Sequence, residues 1–214
     1  MADRRSRSVS SRKQPRQARS NELVAAILDA AVQVLAKEGA QRFTTARVAE
    51  RAGVSVGSLY QYFPNKAAIL FRLQSDEWRS TSELLRGILA DRTKPPRARL
   101  RALVHAFVRS ECEEAAIRGA LNDAAPLYRD APEAQAARAA GEGVIAVFMG
   151  EALPEAPKAT RELAGELIKT TLAAVAKRFS ETPRTEAEIM RQADGLADMF
   201  CAYLDELARR GRRC

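Results

Sequence analysis

Between Thr44 and Lys66 the chain carries side chains suited to reading a nucleic acid duplex. Thr44 and Thr45 open a short apolar-faced segment containing Val48, Ala49 and Ala52. The break Ala52-Gly53-Val54-Ser55 follows, and then the run Val56, Gly57, Ser58, Leu59, Tyr60, Gln61, Tyr62, Phe63. Ser55 and Ser58 can hydrogen-bond to phosphates or base edges. Tyr60 and Tyr62 offer hydroxyls for phosphates and rings that can touch a thymine methyl. Gln61 can bond an adenine at two points, and Val56 can make an apolar contact with thymine. Gly57 has no side chain, so the backbone can come close to the DNA. Lys66 can neutralise a phosphate. Two short helices joined by a tight turn at Gly53 are a helix-turn-helix, whose second helix enters the major groove.

The surrounding sequence has the elements needed to hold that segment. Thr44 or Thr45 caps the first short helix, which runs to about Ala52. Val54, just before the cap Ser55, pairs with Leu59 as a hydrophobic staple, and Leu59 and Phe63 anchor the second helix at i, i+4 spacing. What remains outward is Val56, Gly57, Ser58, Tyr60, Gln61 and Tyr62. A helix over Asn21–Glu38 aligns Val24, Ile27, Leu28, Ala31, Val34 and Leu35, and Gly39 stops it. After Pro64, Asn65 caps a long helix toward Leu89. Prolines punctuate the remainder, and helices are expected at 97–118, 133–152, 158–180 and 186–209, the last opened by the capping box Thr185-Glu186-Ala187-Glu188. No alternating β-branched run signals a strand, so the fold class is all-α.

The run Phe43-Thr44-Thr45-Ala46-Arg47-Val48-Ala49, followed by Ala52 through Lys66, resembles the TetR/AcrR transcriptional regulators over about residues 20–70. The resemblance implies about nine helices: an N-terminal three-helix helix-turn-helix domain and a C-terminal helical domain for effector binding and dimerisation. It implies a homodimer on double-stranded DNA, released by a small molecule, with DNA contacts at Thr45, Val56, Gly57, Ser58, Tyr60, Tyr62 and Lys66. Many members have His where this chain has Tyr62. The residue-by-residue reading adds Thr44, Ser55 and Gln61 to the DNA-binding set.

The net charge of +8 over 214 residues sits mainly at the ends. Arg4, Arg5, Arg7, Arg12, Lys13, Arg16 and Arg19 face only Asp3 in residues 1–19, and Arg209, Arg210, Arg212 and Arg213 close the chain. Residues 1–19 read as a disordered basic arm, either touching phosphates or merely solubilising. Residues 20–66 read as the DNA-binding domain and 67–214 as the effector and dimerisation domain. Cys112 and Cys201 read as small apolar residues, and Cys214 as terminal and exposed. The chain has no apolar run of membrane-spanning length and no secretory signal pattern, so the expectation is a cytoplasmic protein without a membrane partner.

A single recognition helix reads only a few base pairs, so specificity calls for two half-sites and a two-fold symmetric protein. On the family's precedent the last two helices are the expected interface. Leu163, Leu167, Thr170, Thr171, Ala174 and Val175 form one stripe; Leu196, Met199, Phe200, Tyr203 and Leu207 form the other. Either stripe can instead be monomer core. Trp78, Phe107, Tyr128, Phe148 and Met149 are the large side chains that can line an effector pocket, or serve as plain core. His105, the one histidine, is either a packed, hydrogen-bonded residue or part of a switch. A phosphate loop, a nucleophile elbow, a Cys/His dyad and a histidine pair for a metal are all missing, so neither an enzyme nor a cofactor or metal is expected. The alternatives to an effector-released repressor are a non-specific DNA binder using its arm, and an activator or partner-controlled regulator. The first predicts a steep salt dependence and little sequence preference.

Overall fold

A computed structural model describes residues 18–139 and 143–211. Ten α-helices lie in these residues: α1 Ala18–Arg42, α2 Thr45–Arg51, α3 Val56–Tyr62, α4 Lys66–Ala90, α5 Pro96–Glu113, α6 Ala115–Ala124, α7 Pro132–Ala139, α8 Gly143–Ala152, α9 Lys158–Ser180 and α10 Glu186–Gly211. A turn of 3₁₀ helix, Ala125–Leu127, follows α6. No described helix is long and apolar enough to cross a membrane. Most of the basic arm lies outside the described residues, as do Arg212, Arg213 and Cys214.

The chain packs as two compact units, each with its own core. The first holds α1–α3, α4 as far as Arg79, α6 and α7. Its core takes the whole α1 stripe, with Ile27, Ala31 and Leu35 fully buried and Leu28 packed against them. Phe43, Leu59, Phe63, Ile69, Leu70 and Leu121 complete it. The second unit holds the end of α4 from Ser80 together with α5, α8, α9 and α10. Its core is built from Leu100, Leu103, Val104 and Val108 of α5, Phe148 and Met149 of α8, Ile168 and Leu172 of α9, and Leu196, Phe200 and Leu204 of α10.

Two of the expected helices turn out to be divided. The helix expected over 97–118 ends at Glu113, where Glu114 leaves helical geometry (φ −103, ψ 11) and α6 begins. The division falls where the chain passes from one unit to the other. The stripe of α5 faces the second core, whereas Leu121, Ala124 and Ile117 of α6 face the first. The helix expected over 133–152 is α7 and α8, and residues 140–142 between them lie outside the described chain.

In the second unit α5 and α10 are joined along one edge by a ladder of three arginine–carboxylate pairs and one histidine hydrogen bond. Arg97, Arg101, His105 and Arg109 recur every four residues. They meet Asp205 (2.8 Å), Asp198, Asp194 (3.0 Å from His105) and Glu186 (3.1 Å), in reverse chain order. The order is that of antiparallel helices. Where α9 meets α8, Gly165 permits close approach: a Cβ there would lie 3.1 Å from Ile145 and 3.2 Å from Met149.

Candidate nucleic-acid interface

Local signals set the ends of α2, the turn and α3, and the core of the first unit holds them. Thr44 is extended (φ −134, ψ 151) and its hydroxyl accepts from the Arg47 amide at 3.3 Å, satisfying one of the unpaired donors of α2. Gly53 then takes φ 67, a left-handed conformation that costs a side-chain-bearing residue. The amides of Gly53 and Val54 fold back onto the carbonyls of Glu50 (3.1 Å) and Ala49 (3.0 Å), closing the helix end. Ser55 caps α3 through the Ser58 amide at 3.0 Å, and its hydroxyl lies 2.8 Å from that of Ser58. Leu59 and Phe63 are fully buried, and Val54 packs against the same core as the staple requires. Asn65 caps α4 through the Ala68 amide at 2.9 Å, which leaves Lys66 as its first residue.

This anchoring turns Val56, Gly57, Tyr60 and Gln61 to solvent, with Ser58 half-buried at the edge. Tyr62 is a correction: it is only 5% exposed, and its ring belongs to the core. It lies three residues beyond Leu59 and so shares the inward face of a helix with 3.6 residues per turn. Among the outward groups, Thr45 Oγ1 lies 3.1 Å from the Tyr60 hydroxyl, joining the start of α2 to the middle of α3. Arg47 and Arg51, the basic residues of α2, bond instead to α1. Arg47 pairs with Glu38, and Arg51 donates to Gln33 at 2.6 Å.

The six expected effector residues fall into the two units. Trp78 and Tyr128 are in the first; His105, Phe107, Phe148 and Met149 are in the second. Tyr128 is buried, with its hydroxyl 3.0 Å from the Leu121 carbonyl and 3.1 Å from Gln74 Oε1. Phe148 and Met149 are core residues, Phe107 packs against that core, and His105 is a rung of the α5–α10 ladder. A groove of about 670 Å³ in the second unit, lined by Pro95, Pro96, Leu153, Ala156, Ala202 and Ala208 among others, contains none of the six.

The two expected interface stripes differ in exposure. On α9, Leu163 (58% exposed), Leu167 (46%), Thr170 and Ala174 face solvent, with Thr171 half-buried. On α10, Leu196 and Phe200 are buried and Tyr203 packs beside them, so that stripe is monomer core laid against α5, and only Met199 is open. Sequence reasoning also passed over Arg99, which is 3% exposed. It donates to the Leu89 carbonyl (2.5 Å) and Glu151 (2.7 Å), and its guanidinium stands 5.5 Å from the Phe148 ring centre. Its place four residues before Leu103, on the stripe of α5, was the available signal. The guanidiniums of Arg99 and Arg92 hold the Glu151 carboxyl below the usual carboxylate range.

Residues 27–73 match the family model of bacterial regulatory proteins, tetR family. Residues 95–207, more than half of the chain, match that of the tetracyclin repressor-like C-terminal domain. The chain belongs to the tetR family. This tetR-family chain is 45% identical over 47 residues to the fatty acid metabolism regulator protein of Bacillus subtilis, a match over 22% of the chain and 24% of that relative. The match thus spans about a quarter of the curated relative's length. Among solved structures it is similar in fold to the fatty acid degradation regulator FadR of Bacillus halodurans (TM-score 0.64, 18% identity, 88% of this chain and 96% of that one). It is similar also to the tetR-family repressor AlkX of a Dietzia species, implicated in n-alkane biodegradation (TM-score 0.54, 21% identity, 90% and 99%). The all-helical fold and the helix-turn-helix are therefore those of a transcriptional regulator of this family.

Proposed function

We propose that the chain is a homodimeric repressor that holds a palindromic operator and is released from it by a small apolar or amphipathic molecule. The observation that supports it most is the presentation of α3. Ser55 caps it, Leu59 and Phe63 pin it, and Val56, Gly57, Tyr60 and Gln61 are left for a duplex. Thr44, Thr45, Ser55, Ser58 and Lys66 border that face and supply hydroxyls and a cation for phosphates. The open stripe Leu163, Leu167, Thr170 and Ala174 of α9 supports a two-fold partner, because an apolar helix face in water favours burial against its own copy. The basic arm adds sequence-independent attraction.

The test uses the full chain on an operator duplex recovered by selection, with fluorescence anisotropy as readout. Fatty acids come first among effectors, since the curated relative is named a fatty acid metabolism regulator protein. Loss of the operator complex on adding one of them is the expected result. A complex that survives every apolar and amphipathic compound at saturating concentration contradicts the release mechanism.

A further inference from the structure

We infer that Gln61 is the side chain through which α3 identifies a base, that the base is an adenine in the major groove, and that Gly57 is there to let it approach. The inference rests on the operator-reading role proposed above and assigns that role to one side chain.

The helix itself supplies the geometry. With about 100° between successive residues, and Leu59 at the centre of the buried face, Gly57 lies about 160° and Gln61 about 200° around the axis. These two, one turn apart, straddle the direction that points straight out from the core, and both are exposed. Helical side chains lean toward the N-terminus, so the Gln61 amide extends over Gly57, where no side chain competes for space. Nothing among the described residues requires a glycine at 57. The left-handed glycines among the described residues are Gly39 and Gly53, and a Cβ at 57 would meet only Ser55 Oγ, at an ordinary 3.7 Å. A poor helix former in a helix of seven residues points outward for its reason.

Elimination leads to the same residue. The hydroxyls of Tyr60, Ser55 and Ser58 each hold a partner within the chain, and what they have left suits a phosphate at the border of the face, as proposed above, and not a two-point bond to a base. The side-chain amide of Gln61 has no hydrogen-bond partner among the described residues. The sequence of α3, VGSLYQY, has neither arginine nor lysine, so it lacks the cationic fork that reads the two acceptors of guanine. A glutamine amide offers one donor and one acceptor, which match N7 and the N6 amino group of adenine. Val56, 39% exposed at the start of α3, suits the methyl of a neighbouring thymine.

The experiment selects bound duplexes from a random pool with the full-length protein, with Gln61→Ala and with Gly57→Ala. The wild type should recover an inverted repeat containing an adenine that Gln61→Ala no longer prefers, a loss of about 5- to 150-fold discrimination at that position with the others kept. Gly57→Ala should melt no lower than the wild type yet bind the recovered operator about tenfold more weakly or worse. An unchanged motif from Gln61→Ala, or a preference lost at a guanine or cytosine, overturns the assignment of Gln61. Operator binding by Gly57→Ala as tight as wild type overturns the role of Gly57. If the wild type recovers no motif at all, the operator-reading role fails first and this inference falls with it. A motif that survives Gln61→Ala sinks this inference alone.

Discussion

Thr45 Oγ1 stands 3.1 Å from the hydroxyl of Tyr60, so the first residue of α2 holds the outward tyrosine of α3 across the turn. The pair fixes a ring and a hydroxyl at the edge of the surface proposed to meet the duplex. A hydrogen bond of this kind contributes about 1 kcal/mol, and it matters for binding because it removes freedom before the DNA arrives.

Tyr60→Phe and Thr45→Val should each weaken operator binding by about five- to tenfold, the equivalent of one such bond. The double variant should lose less than the product of the two, because the second change removes a bond that the first has already broken. Anisotropy titrations of the four proteins close the cycle. Fully multiplicative losses would show that the two hydroxyls act separately.

Leu167→Glu should leave the helical content and melting behaviour close to wild type but give a monomer by sedimentation at micromolar concentration, since the side chain already faces solvent in the single chain. Phe200→Ala, on the α10 stripe buried against α5, should cost about 3–5 kcal/mol of stability instead. A Leu167→Glu protein that remains dimeric places the interface elsewhere.

How much of this was legible in the sequence differs from element to element. The helix-turn-helix was, because its signals are local: hydroxyl caps at Thr44 and Ser55, a glycine at the one left-handed position of the turn, and Leu59 with Phe63 one turn apart. Tyr62 misled because a tyrosine suits both a core and a phosphate, and only packing decides which. The α10 stripe misled for a related reason. An apolar helix face says that something covers it, not whether the cover is another chain or α5. The ladder of Arg97, Arg101, His105 and Arg109 could have named α5, since its four-residue spacing is answered by Asp205, Asp198, Asp194 and Glu186, but that match is visible only once the two helices are paired. The break at Glu114 had no local marker, because no proline or glycine stands in residues 111–118.

Acid should weaken the second unit through Glu151. Its carboxyl is held below the usual range by Arg99 and then by Arg92, so it takes up a proton less readily folded than unfolded. Its contribution is therefore present above the ordinary carboxylate value of 4.5 and is lost as pH falls through the lower folded value. Melting temperatures measured from neutral pH into that range should fall less steeply for Glu151→Gln than for wild type. Parallel acid limbs would mean that the ion pair adds nothing.

Deleting residues 1–19, which lie mostly outside the described chain, removes seven basic side chains, Arg4, Arg5, Arg7, Arg12, Lys13, Arg16 and Arg19. The dependence of operator affinity on salt should flatten by about 0.9 in logarithmic slope for each phosphate that the arm neutralises. An unchanged slope means that the arm does not touch DNA.

The most direct measurement is selection of duplexes by the full-length protein at about 0.15 M salt, followed by the mass of the complex on the recovered site. A homodimeric operator-binding regulator should recover an inverted repeat with half-site centres about one helical turn apart, or a multiple of it, and should sit on it as an even number of protomers, at least two. No recovered motif, with binding that vanishes steeply as salt rises, would contradict that reading and leave only a non-specific attraction carried by the basic arm.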